Sequence, residues 1–121
     1  MRTLFCGALL LDGKTATHGN LLVQDDQIAA ICAPEDKPCA DQVIDASGCL
    51  LMPALYNAHT HAAMTLMRGR GSDLPLESWL TQAIFPAEEK LTVQAVRLGT
   101  QLAMLEMLRF GTAGFADMYY H

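Results

Sequence analysis

Basic residues are scarce: 8 Lys and Arg stand against 13 Asp and Glu, for a formal net charge of -5. Nucleic acids and anionic membrane surfaces both demand clustered Lys and Arg, so neither is expected as a partner. Long apolar runs are also missing. Nothing reaches the roughly 20 consecutive apolar residues of a membrane-spanning helix, and Met1-Arg2-Thr3-Leu4-Phe5-Cys6-Gly7 breaks before a signal-peptide apolar region develops. A cytoplasmic location is the resulting expectation. Cys6, Cys32, Cys39 and Cys49 form no Cys-x-x-Cys pair, which removes the zinc ribbon and the thioredoxin-type motif and leaves reduced, packed thiols. There is no His-Glu-x-x-His and no Walker loop, and Gly69-Arg70-Gly71 lacks the third glycine and the preceding strand of a dinucleotide fingerprint.

What is present is a chain that is 51% hydrophobic and 17% charged, a globular rather than disordered balance. Its most informative feature is Asn57-Ala58-His59-Thr60-His61, which follows the apolar run Cys49 to Tyr56. Side chains alternate faces along a strand, so histidines one residue apart point the same way and can share one metal ion. A bare His-x-His in any protein is more often a pair of hydrogen-bonded core or loop residues. The apolar run leading into this one reads instead as a buried strand with ligands at its C-terminal end. A catalytic zinc keeps three protein ligands and an open position, and the remaining histidines are His18, in an early polar turn, and His121. Further ligands are therefore expected outside this chain.

Thr3 to Leu11, Leu21 to Val23, Gln27 to Ile31 and Val43 to Asp45 read as short strands joined by tight turns, part of a small β-sandwich. After His61 the character changes. Ala62 to Met67 reads as a helical turn, Arg68 to Asp73 as a flexible loop, and Leu76 to Phe85 as a helix that Pro86 ends. From Thr92 to Phe110 the spacing predicts an amphipathic helix. Val93, Val96, Thr100, Ala103 and Met107 form one stripe, with Leu98, Leu102, Leu105 and Leu108 beside it. Thr92 suits the N-cap and Gly111 the stop. Thr112 to Asp117 then reads as a second buried strand. Strand, long loop, helix, strand demands a right-handed crossover and a parallel sheet, whose chemistry gathers at strand C-termini. The ~30 residues between the histidines and the long helix exceed an ordinary βα loop, which marks a lid or pocket wall.

Pro53-Ala54-Leu55-Tyr56-Asn57-Ala58-His59-Thr60-His61-Ala62-Ala63-Met64, Asp73-Leu74-Pro75-Leu76-Glu77-Ser78-Trp79-Leu80, Pro86-Ala87-Glu88 and Gly111-Thr112 together resemble the amidohydrolase superfamily. Within it the sequence is most similar to the 5-methylthioadenosine/S-adenosylhomocysteine deaminases, with triazine chlorohydrolases and guanine deaminases near. The resemblance implies an α/β fold: the N-terminal part of a metal-dependent (β/α)8 barrel hydrolase, preceded by strands of a small β-sandwich. Residues 1–52 would be a partial sandwich, and residues 53–121 the first βα unit and second strand of an incomplete barrel. Ala54 departs from the glycine common after this proline, a different entry to the strand that leaves the histidines untouched.

By the same resemblance, His59 and His61 would hold one divalent metal, zinc first and iron as the alternative. Trp79 would lie against a small-molecule nucleoside substrate and Glu88 would accept hydrogen bonds from its ribose hydroxyls. Read without it, Trp79 is a packing anchor and Glu88, beside Glu89 and Lys90, part of a solvated face. The implied reaction is hydrolytic deamination, a metal lowering the pKa of water for attack at C6 of an adenine ring. The His-x-Glu and Cys-x-x-Cys signature of cytidine-type zinc deaminases is absent. A barrel takes about 250 residues, so catalytic residues are expected beyond the end of this chain and the 121 residues alone are expected to be inactive. A metal-free binding module is the remaining alternative, and a homo-oligomer stays open.

Overall fold

β1 runs from Arg2 to Asp12 in the computed structural model, which describes residues 1–119; His121 lies outside the described residues. Gly7 does not end this strand. It takes φ of +75°, and the pairing with β2 (Thr15–Gln24) shifts register between Phe5 and Ala8, a bulge that absorbs the extra residue. β2 pairs antiparallel with β1 and with β3 (Gln27–Cys32). It begins earlier than the apolar pattern indicates because hairpin pairing with Leu9 to Asp12 supplies partners for polar residues. His18 accordingly sits in the strand opposite Leu9, not in a turn. On its other side β1 runs parallel to β4 (Gln42–Asp45) along Thr3 to Cys6, and to β5 (Leu50–Leu51) at Leu9 and Leu10. The result is one mixed five-stranded sheet in the order β3-β2-β1-β4, with β5 on β1.

Ala8, Leu10 and Ala46 are buried together, with Phe5, Leu21 and Leu51 packed on them. Asn20 is 1% exposed and serves as a polar bracket. Its Oδ1 accepts the Gly7 N–H at 2.8 Å, and its Nδ2 donates towards the carbonyls of Ala33, Pro34 and Asp36 at 2.8 to 3.1 Å. It thereby satisfies both the bulge and the chain leaving β3, as buried polar groups require.

The chain divides into two compact units, Met1–Pro53 and a second that begins at Ala54. The apolar run Cys49 to Tyr56 is not one strand: β5 completes the first sheet, and β6 (Leu55–Thr60) opens a second. Pro53 causes the break, since it has no N–H for a ladder and restricts Met52 before it. Nor is β6 buried here. Its pairing among the described residues is with β7 (Thr112–Asp117) alone, in parallel, and Tyr56 is 79% exposed.

Between these strands lie a 3-10 turn at Ala62–Met67, a helical run from Leu76 to Glu88, and the long helix. The run comprises α1 (Leu76–Ser78), a π-helical stretch at Trp79–Ile84, and α2 (Phe85–Glu88). Pro86 does not terminate it. The π stretch widens the turn, with the Phe85 N–H on Leu80 O, and Pro86 falls in the first turn of α2, where a missing N–H costs nothing. α3 (Val93–Arg109) starts at Thr92, whose Oγ1 accepts the Ala95 N–H at 3.1 Å, and stops at Gly111 with φ of +83°. Gly99 and Ala103 are its buried residues. Gly99 packs on the 3-10 turn, where Ala62, Ala63 and Met67 are buried.

Candidate metal centre and substrate pocket

His59 lies on the last turn of pleat in β6 and His61 follows directly after the strand. Their ring centroids are 5.2 Å apart with planes at 84°, an edge-to-face pair, and both residues are exposed. The backbone around them is held from two sides. Asn57 Oδ1 accepts the His59 N–H at 3.1 Å. The end of β7 grips the other flank, with the Met118 N–H on Thr60 O at 2.9 Å and Asp117 Oδ1 accepting the Ala62 N–H at 3.2 Å. Asp117 thus fixes the peptide that follows His61.

Two imidazoles on a tetrahedral zinc, with Zn–N of about 2.1 Å, have centroids roughly 5 Å apart. The observed pair fits that spacing without rearrangement of the strand. Among the described residues no group of three or more His, Cys, Asp or Glu is placed to hold a metal. Among the described residues the two histidines are therefore candidate donors and not a complete site.

A cavity of about 300 Å³ opens beside His61, lined also by Trp79, Phe85, Glu88, Met118 and Tyr119. Three of the four site residues expected from sequence share it. His59 joins through its contact with the His61 ring and is not part of the lining. Its volume is at the lower bound of small-ligand pockets. A larger cavity of about 620 Å³ lies in the first unit around Asn20, Lys37, Cys39 and Asp45. It contains no histidine, so the chemistry argues for the smaller one.

Trp79 is half-buried and its indole N–H donates to Arg70 O at 2.8 Å. Arg70 Nε donates in turn to Ala83 O at 2.9 Å, and Gly71, at φ of +66°, packs so closely that a Cβ there would meet the Ala83 Cβ at 2.8 Å. The segment Arg68 to Asp73 is therefore a clasped turn and not a flexible loop. The sequence pattern shows its glycines but not the tryptophan that pins them.

Glu88 ends α2 half-buried, and the Tyr119 hydroxyl donates to its Oε1 at 2.9 Å. Burial, then the Glu88 hydrogen bond and charge and the Asp117 charge, push the Tyr119 phenol up to about 12. It is a donor across the neutral range. Sequence reasoning missed Tyr119 because it lies two residues past a strand and 31 from its partner; an aromatic just beyond a strand-end aspartate was the available signal.

The sequence profile of the Amidohydrolase family matches residues 50–121, more than half of the chain and the whole of this site. The chain belongs to the amidohydrolase family. It is 46% identical, over 94% of its length, to a 5-methylthioadenosine/S-adenosylhomocysteine deaminase of Halobacterium salinarum, and covers 26% of that protein. It is 51% identical to a 5'-deoxyadenosine deaminase of Methanosarcina mazei, over 90% of this chain and 25% of that protein. The chain thus spans about a quarter of the length of these curated relatives. Among solved structures it superposes on the atrazine chlorohydrolase of Arthrobacter aurescens complexed with zinc, with a TM-score of 0.76 and 22% identity over 97% of this chain and 28% of that one. That likeness establishes the fold, the N-terminal part of an amidohydrolase (β/α)8 barrel enzyme preceded by the sheet described above. No helix among the described residues is long and apolar enough to cross a membrane.

Proposed function

We propose that this amidohydrolase chain is the N-terminal portion of a cytosolic, metal-dependent hydrolytic deaminase of adenine nucleosides of the S-adenosylhomocysteine and 5-methylthioadenosine type. The observation that carries the reading is the cavity shared by His61, Trp79 and Glu88, with the His59 ring 5.2 Å from that of His61. The deaminase names of the relatives support the substrate class. His59 and His61 supply two nitrogen donors to one divalent ion, zinc or iron, and the remaining ligands and the acid that protonates the leaving amine come from residues outside this chain. When bound, the metal supplies Lewis-acid activation of the attacking water.

The chain's own residues bind and orient. Trp79 has its N–H committed to Arg70, so it offers a nucleoside its aromatic face rather than a donor. Glu88, acceptor-only when ionised, suits ribose hydroxyls and repels anionic ligands. Asp117 and Asn57 keep the two histidine-bearing peptides in place.

Metal content by mass spectrometry and ammonia release from S-adenosylhomocysteine test the reading in the full-length protein. Replacing His59 and His61 with alanine is expected to remove the metal and lower ammonia release by well over the ~100-fold that loss of a mere outer partner brings. A variant that keeps both metal and activity would sink the assignment.

A further inference from the structure

We infer that Tyr119 is a positioning residue for the sugar: its hydroxyl holds the Glu88 carboxylate in the orientation that accepts the ribose 2′ and 3′ hydroxyls. The inference rests on the role proposed above for Glu88. A glutamate at the end of a helix has three rotatable bonds, and fixing such a side chain at the moment of binding costs rotamer freedom. The 2.9 Å bond from Tyr119 makes that selection before a ligand arrives. The support is firm because Tyr119 follows directly on Met118 and Asp117, whose hydrogen bonds to Thr60 O and the Ala62 N–H clamp the chain around His61. One strand end therefore sets both the sugar-binding carboxylate and the histidine pair, and fixes the distance between the two ends of a nucleoside. Phenylalanine would fill the same place and lose the hydroxyl. The phenol stays protonated, and so a donor, through neutral pH.

The test is made in the full-length protein with adenosine and 2′,3′-dideoxyadenosine, which differ in the hydroxyls alone, by calorimetric binding and by steady-state kinetics. Tyr119→Phe is expected to weaken adenosine binding about 10- to 150-fold, the range of a hydrogen bond to a charged group. The loss falls on KM rather than kcat, while affinity for the dideoxynucleoside changes less than ~2-fold, within the spread of near-neutral substitutions. In a Glu88→Gln background the same change is expected to have no further effect on adenosine. Equal losses on both nucleosides, no loss on either, or additive losses in the double variant would overturn the inference while leaving the substrate reading intact. A wild-type protein that binds neither nucleoside would overturn both. If Tyr119→Phe does not fold, Tyr119→Met, an apolar side chain of adaptable shape with no strong donor, is expected to show the same selective loss on adenosine, and an unselective one counts against the inference.

Discussion

Gly99 sits mid-helix, where glycine is about 1 kcal/mol worse than alanine in propensity, yet a Cβ there would lie 2.6 Å from Ala63 O and 3.2 Å from its carbonyl carbon. Backbone atoms cannot step aside as a side-chain end can. The close approach of α3 to the 3-10 turn therefore needs glycine, and Gly99→Ala is expected to destabilise by about 1–3 kcal/mol despite its better propensity. Gly111 is the contrasting case, with open space around it but φ of +83°; alanine there is expected to cost about 1–2 kcal/mol through left-handed backbone strain alone. Urea midpoints at unchanged m-value measure both, and a stabilised Gly99→Ala would refute the packing account. A stop at Gly111 is legible from its neighbours, whereas the demand on Gly99 comes from a turn 36 residues away. The histidine pair divides in the same way: a spacing of one residue suffices to bring the rings together, but Asp117 and Tyr119, which hold the surroundings, reach it through tertiary contact.

At the scale of elements, local chemistry foretells ends better than interiors. Thr92 is the N-cap of α3 as its side chain requires, and the parallel pairing of β6 with β7 follows from the long connection between them. Pro86 misleads because a π stretch, invisible to a 3.6-residue period, creates a second helix start in the middle of a run. α3 is tied to the end of the 3-10 turn by Arg68, whose Nη1 and Nη2 meet the two Glu106 oxygens at 3.1 and 2.5 Å. The Arg68 hydrogen bond holds the Glu106 carboxyl below its ordinary 4.5, against a smaller opposing push from burial and with help from the guanidinium charge. A carboxyl depressed in the folded state contributes stability that is present above its unfolded pKa and is lost as pH falls through the folded one. The stability difference between wild type and Glu106→Gln is thus expected to be small and positive at pH 7, to vanish on acidification below the folded pKa, and to shrink in 1 M salt. Thermal unfolding over a pH series descending from 7 reads it, and a difference that does not decline on acidification would show that Glu106 acts by something other than its charge.

For the molecule as a whole, much of the apolar pattern of α3 is on the surface. Ala103 is buried and Val96, Thr100 and Met107 are half-buried, but Val93 is exposed, and Leu98, Leu102, Leu105 and Leu108 stand exposed, Leu105 at 67% and Leu108 at 63%. Hydrophobic periodicity records every surface a helix is built to cover, without regard to which partners a given stretch of chain contains, so the apolar pattern is legible and its occupant is not. A helix that is apolar around most of its circumference is stable in isolation only when something covers it. Residues 1–121 alone are therefore expected to self-associate at concentrations on the order of those where exposed patches drive assembly, micromolar and above. Leu105→Lys separates the two contexts because its cost differs between them. In the 121-residue chain the lysine meets water, stability moves by less than ~0.5 kcal/mol, and light scattering shows a shift towards monomer. In the full-length protein, where we propose that further barrel elements cover this face, the same lysine is an unpaired buried charge, expected to cost on the order of 3 kcal/mol and to lower the unfolding midpoint accordingly. Neutrality in the longer protein would mean that the leucine face is exposed there too, and the face would then belong to an interface rather than to the interior.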